Sequence, residues 1–162
     1  MTSIEQMTEQ AQNCLDNNQI DQAKELYTEI CKQDEANAEA WMMLGAINGQ
    51  TGTIDEALTC LRRAIDIDST LAEAHFTLAQ VLFAQNNLGE AISAAERAIE
   101  SDPEYDAAYL FLSGAHGQLG NFQAAEDTSR KATEITPDNP DVHVNLGNTL
   151  HAQGKTTAAE TS

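Results

Sequence analysis

Apolar and polar positions along this chain follow a helical rhythm that itself repeats. Between Ala38 and Ala64 the apolar or small residues Trp41, Leu44 and Gly45, then Ala57, Leu61 and Ala64, fall three or four apart. That spacing places side chains on one face of an α-helix. Sliding the chain by 34 residues reproduces the set without insertion or deletion. One step on gives His75, Leu78, Ala79, Ala91, Ala95 and Ala98; a second gives Tyr109, Leu112, Ser113, Ala125, Ser129 and Ala132. A third gives His143, Leu146, Gly147 and Ala159, and a backward step gives Met7, Ala11, Ala23, Tyr27 and Ile30. The frame is one array over 1–162, with full units at 4–37, 38–71, 72–105 and 106–139 and a partial fifth at 140–162.

Three columns carry physical meaning. The fourth residue of each unit is large (Met7, Trp41, His75, Tyr109, His143) and is expected to wedge between the two helices of a hairpin. The eighth is small throughout (Ala11, Gly45, Ala79, Ser113, Gly147), and the twentieth is always Ala (23, 57, 91, 125, 159). Small residues held at fixed offsets imply close helix crossings with no space for larger side chains.

The turns are equally regular. The fifteenth position is Asn18, Gly52, Asn86, Gly120 or Gly154, residues that accept the left-handed backbone closing a helix C-terminus. Thr53, Asn87 and Asn121 follow as expected N-caps, with Glu56 and Glu90 completing capping boxes. Thr70 with Glu73 predicts another box, and Asn139 before Pro140 predicts a cap with proline in the first turn. Each unit thus reads helix, tight turn, helix, tight turn.

Period and pattern together resemble the tetratricopeptide repeat, a 34-residue helical hairpin with Trp, Leu-Gly, Tyr, Ala, Phe and Pro at set offsets. Trp41-Met42-Met43-Leu44-Gly45 reproduces its opening. The resemblance implies an all-α fold, a right-handed superhelical solenoid of antiparallel hairpins whose first helices line a concave groove. The first unit departs from the pattern at Gln10, as a terminal repeat with a wet outer face should. At the other end Val142, Val144, Leu146 and Leu150 present an apolar face, and the second helix of the fifth unit stops at Ser162. The expectation is an N-terminal part of a longer protein, or an end that self-associates through Val142, Leu146 and Leu150.

Composition narrows the partners. The 162 residues are 41% hydrophobic, enough for a packed core, and the formal charge of −18 disfavours nucleic acid and anionic membrane surfaces. Cys14, Cys31 and Cys60 share no metal-ligand spacing and read as reduced residues of a cytoplasmic protein. Neither a signal peptide nor an apolar run of membrane-spanning length is visible.

No motif for nucleotide binding, metalloprotease chemistry or paired-Cys metal ligation is present, so neither catalysis nor a cofactor is expected. His75 and His143 fall on the wedge column and His116 in an inter-helical one, which leaves only His151 toward the groove. All eight basic residues, Lys24, Lys32, Arg62, Arg63, Arg97, Arg130, Lys131 and Lys155, lie outside the first helices. The resemblance therefore does not extend to the carboxylate clamp of co-chaperones: Thr8, Met42, Phe76 and Leu110 stand where cations would be needed. Nor does it extend to the Asn ladder of the O-linked N-acetylglucosamine transferase superhelix, of which only Asn145 and Asn148 remain.

What the first helices offer instead is apolar and amide surface: Met42, Met43, Phe76, Gln80, Phe83, Leu110, Phe111, Asn145 and Asn148. Glu39, Glu73 and Asp141 form an acidic rim, though carboxylates in a helix's first turn also favour its dipole. Part of the apolar set would equally serve as packing between adjacent first helices. The expected function is a protein-interaction scaffold for a peptide or helix with apolar anchors and neutral or basic flanks. The alternative is a structural or self-assembling N-terminal arm of a longer protein, an enzyme among the options.

Overall fold

The structure, a computed structural model, describes residues 3–154. Among these it contains helices and turns and no strand: α1 (Ile4–Asp16), α2 (Ile20–Gln33), α3 (Ala38–Gln50), α4 (Ile54–Ile67), α5 (Ala72–Ala84), α6 (Leu88–Ser101), α7 (Asp106–Gln118), α8 (Phe122–Ile135) and α9 (Pro140–Ala152). The odd-numbered helices start at 4, 38, 72, 106 and 140 and the even-numbered ones at 20, 54, 88 and 122, so both series advance by the sequence period. The second helix expected for the fifth unit, with Lys155 and Ala159, lies outside the described residues. The chain divides within α5, between Val81 and Leu82, into two compact halves.

Every hairpin turns through a left-handed residue at the expected column: Asn18 (φ 58°), Gly52 (81°), Asn86 (61°), Gly120 (74°) and Gly154 (74°). The left-handed step lets the chain bond back onto the helix it leaves. The Gln19 N–H donates to the Cys14 carbonyl at 2.8 Å, Thr53 to Asn48 at 2.9 Å, Asn87 to Leu82 at 3.0 Å and Asn121 to His116 at 2.9 Å.

Capping differs from the sequence expectation. Thr53, Asn87 and Asn121 occupy N-cap positions, but none of their side chains caps a helix N–H. The Thr53 hydroxyl lies 3.0 Å from Asn48 Oδ1 instead, and Asn87 Nδ2 donates to Glu90 Oε1 at 2.9 Å. At the expected box of Thr70 and Glu73, Thr70 Oγ1 and N both donate to Asp68 Oδ1, at 2.7 and 2.9 Å. Asp34 and Asp102 accept the N–H two residues on in the same way. These aspartates make the turn between hairpins a side-chain-closed one. Side-chain caps occur at Ser3, whose partner Gln6 completes a capping box, at Asn37, and at Asn139 ahead of Pro140.

In the N-terminal half, Met7, Ala11, Tyr27, Ile30, Leu44 and Ile47 belong to one buried cluster across α1, α2 and α3. The α3–α4 crossing is tight at the two small columns. A Cβ on Gly45 would lie 2.6 Å from Leu61 Cγ and 3.3 Å from the Ala57 carbonyl oxygen.

In the C-terminal half, Ser113 stands at the position of Gly45 and its hydroxyl reaches the Ala125 carbonyl at 3.0 Å. It also lies 2.6 Å from Ser129 Oγ, which donates to Asn145 Oδ1 at 2.6 Å, and Thr149 Oγ1 sits 3.3 Å from Ser129 Oγ. Beside this network Tyr109, Ala132 and Val142 pack with Leu110, Ile99 and Ile135. The apolar face expected to lie open on α9 is therefore corrected: Val142, Leu146 and Leu150 are buried at 0%, 7% and 1% exposure, and only Val144, at 61%, faces outward. α9 contacts both α7 and α8, and Val142 packs with Tyr109 and Ala132.

Candidate functional site

The seven described Lys and Arg residues lie on α2, α4, α6 and α8. Five of them pair with carboxylates of even-numbered helices: Lys24–Glu56 (3.4 Å), Lys32–Glu29 (4.0 Å), Arg97–Glu100 (2.7 Å), Arg130–Glu126 (2.8 Å) and Lys131–Glu134 (3.0 Å). Among the described residues the odd-numbered helices carry no Lys or Arg, and their exposed side chains are acidic, amide, hydroxyl, imidazole or apolar. Glu5, Glu39, Glu73, Asp106 and Asp141 stand in their first turns, where a carboxylate complements the helix dipole.

In the N-terminal half this chemistry surrounds a cavity of about 280 Å³. The register of the repeat builds it. Thr8 and Gln12 enter from α1, Met42 and Met43 from α3, and Glu39 and Glu73 from equivalent first-turn positions of α3 and α5. Tyr27 of α2, Leu71 just before α5, and Asn37 and Ala40 at the start of α3 also line it. Met42 and Met43 are half-buried. The former packs against the buried Ala57, Leu61 and Val81, the latter against the cluster containing Leu44 and Ile47. Their thioethers form a soft floor anchored in the core. Glu39 and Glu73 are exposed, and among the described residues neither carboxylate has an ion-pair partner. Burial pushes the Tyr27 phenol above its usual range, and the Glu39 charge pushes it further the same way.

The structure distributes the other expected residues unevenly. Phe76 is half-buried and Gln80 exposed on α5. In the C-terminal half the Phe83 and Phe111 rings meet edge to face with centroids 5.2 Å apart. Leu110 packs on the Tyr109 cluster, and Asn145 accepts from Ser129 through its Oδ1. Asn148, Asp141 and His151 are exposed. The contribution of Tyr27 and Leu71 to the cavity is not anticipated by the sequence; Tyr27 belongs to a recognised packing column, and its second role has no separate signal.

Among the described residues no group of three or more His, Cys, Asp or Glu side chains could hold a metal ion, and no helix is long and apolar enough to cross a membrane. Within each half, helical hairpins packed on one another at the sequence period are the build of a helical-repeat scaffold.

Comparison with known proteins places the chain within that class. Three family models match: two described as tetratricopeptide repeat, over residues 76–140 and 129–161, and one described as TPR repeat, over 50–86. The chain belongs to the tetratricopeptide repeat family, a family of protein-interaction scaffolds. No curated protein matches its sequence. Among solved structures, it is similar to a MamA protein (23% identity, 98% of this chain and 86% of that one, TM-score 0.83). It is also similar to MamA from Desulfovibrio magneticus RS-1 (16%, 99% and 92%, 0.84) and to TTC0263, a thermophilic TPR protein of Thermus thermophilus (17%, 97% and 86%, 0.78). At these identities the likeness is one of fold.

Proposed function

We propose that the protein holds a segment of a partner protein against the outer face of its odd-numbered helices. The segment carries apolar anchors and neutral or basic flanks. The observation that carries this reading is the cavity of about 280 Å³ in the N-terminal half, floored by Met42 and Met43 and edged by Glu39 and Glu73. Soft thioethers adapt to varied apolar side chains, while unpaired carboxylates favour cationic flanks and repel acidic ones. A carboxylate-terminated tail of the kind gripped by co-chaperones would lose its hydration here without a Lys or Arg to replace it.

Selection of a displayed random-peptide library on the full chain, followed by mapping of the selected peptides on methyl-labelled methionine, tests the reading. Selected peptides are expected to shift the Met42 and Met43 methyl signals. Peptides with acidic C-terminal tails are expected to bind no better than scrambled ones. Selected peptides that leave both methionines unmoved would overturn the assignment of this face.

A further inference from the structure

We propose that the cavity between Glu39 and Glu73 receives an arginine side chain of the bound segment. The proposal rests on the docking reading above and specifies what enters this cavity. Glu39 and Glu73 stand in the first turns of α3 and α5, one repeat apart, and both line the same cavity. Complementing a helix dipole explains a carboxylate in each first turn. It does not explain why the space they share is lined by the apolar Met42, Met43 and Leu71.

A ligand that matches both features has an apolar stem and a cationic head. Lysine and arginine have that form. Arginine fits better, because its guanidinium is planar, weakly hydrated and able to bond two carboxylates through separate N–H groups. Its methylenes and flat face can lie on the polarisable thioethers. Gln12 and Thr8, also on the cavity wall, offer neutral oxygen acceptors to the remaining N–H groups. The protein itself supplies no cation here: among the described residues every Lys and Arg sits on an even-numbered helix. Tyr27, whose phenol is pushed up by burial and then by the Glu39 charge, lines the same cavity.

The test uses the full chain and two blocked peptides, acetyl-Ala-Leu-Arg-Leu-Ala-amide and its citrulline analogue, which keeps the shape and removes the charge. Titrations are followed on the Met42 and Met43 methyl signals. The arginine peptide is expected to shift both saturably, and the citrulline peptide to bind about tenfold more weakly or less. The double variant Glu39→Gln with Glu73→Gln is expected to lose that preference. A charge-matched double variant at exposed positions of α6 and the following turn, Glu96→Gln with Glu104→Gln, is expected to keep it.

Equal binding of the two peptides would overturn the arginine assignment while leaving the docking reading intact. Equal loss in both double variants would trace the preference to bulk charge and also overturn it. Failure of both peptides to move either methionine at millimolar concentration would remove the arginine pocket, whereas the library selection judges the docking face independently.

Discussion

Trp41 Nε1 donates a 3.1 Å hydrogen bond to the carbonyl oxygen of Glu35, six residues earlier in the turn before α3. The bond recurs at the same column: His75 Nε2 with the Ser69 carbonyl (3.0 Å), Tyr109 OH with Pro103 (3.2 Å) and His143 Nε2 with Pro137 (2.7 Å). Indole, imidazole and phenol share little but a polar edge on a flat ring. From the second unit on, the column holds a large side chain whose tip can donate to the turn behind it, whereas Met7 of the first unit has no such donor.

Tyr109→Phe removes only that donor and should lower stability by about 0.5–1.5 kcal/mol, the usual net worth of one hydrogen bond. Chemical denaturation against the parent chain measures it. Because a carbonyl oxygen can only accept, His75 and His143 are expected to carry a proton on Nε2. Long-range nitrogen–proton correlation spectra of the imidazoles check this, and an Nδ1-only tautomer would break the shared pattern.

Gly45→Ala should destabilise the N-terminal half by about 1–3 kcal/mol through overpacking, since the added methyl would meet Leu61 Cγ at 2.6 Å. Adding Leu61→Ala opens the space. The double variant should therefore lose less than the two single losses combined. Additive losses would mean the crossing relaxes by another route.

The three thiols should differ sharply in reactivity. Cys31 and Cys60 are buried and Cys14 half-exposed, so a thiol-reactive chromophore at neutral pH should label one group quickly and two slowly. Burial, helped by Cys60 and Asp34, pushes the Cys31 thiol from its ordinary 9.0 up to about 12. A pKa raised by folding gives stability that is fully present below pH 9.0 and lost between there and about 12. Cys31→Val should accordingly lessen the fall in thermal midpoint over that alkaline window. An unchanged alkaline profile would contradict the assignment.

Asp68 behaves in the opposite sense. The Thr70 hydroxyl, then the Thr70 N–H, hold its carboxyl below the ordinary 3.8. A depressed pKa gives stability that is present above 3.8 and lost as pH falls through the lower folded value. Carbon-detected titration should place Asp68 below 3.8, and Thr70→Val should move it back up by removing the larger cause. A midpoint unmoved by that substitution would assign the shift elsewhere.

The fold is legible in the sequence because its constraints recur. The left-handed position appears five times as Asn or Gly, and the described members of the Ala column (23, 57, 91 and 125) are all buried. Capping at Thr53, Asn87 and Thr70 escapes a sequence reading because a cap-forming side chain has several backbone and side-chain partners in reach. Their bonds go to Asn48, Glu90 and Asp68 instead. A signal for the real turn is present in the recurring Asp34, Asp68 and Asp102. The candidate site is legible in outline only. Helical phase puts Met42, Met43, Glu39 and Glu73 together, but it also nominates Leu110 and Asn145. Helical phase alone does not separate a side chain that lines a surface from one that meets the next helix.

The hydroxyl network of α7, α8 and α9 bears on how a chain of near-copies avoids mispairing while it folds. An odd-numbered helix has several look-alikes elsewhere in the sequence, and apolar contacts discriminate weakly between them. Docked beside α8, α9 brings Asn145 and Thr149 to Ser129. In the same register α3 would bring Met43 and Ile47, and α5 would bring Thr77 and Val81. With α3 the buried Ser129 hydroxyl would have neither partner, and α5 would replace the Asn145 amide and the Thr149 hydroxyl with a single hydroxyl. The hydroxyl would keep Ser113 and the Ala125 carbonyl, but each hydrogen bond lost with α9 costs about 0.5–1.5 kcal/mol, enough to favour α9 beside α8. Interchangeable as the helices look, the choice of α9 as the neighbour of α7 and α8 is partly written in three hydroxyls and an amide.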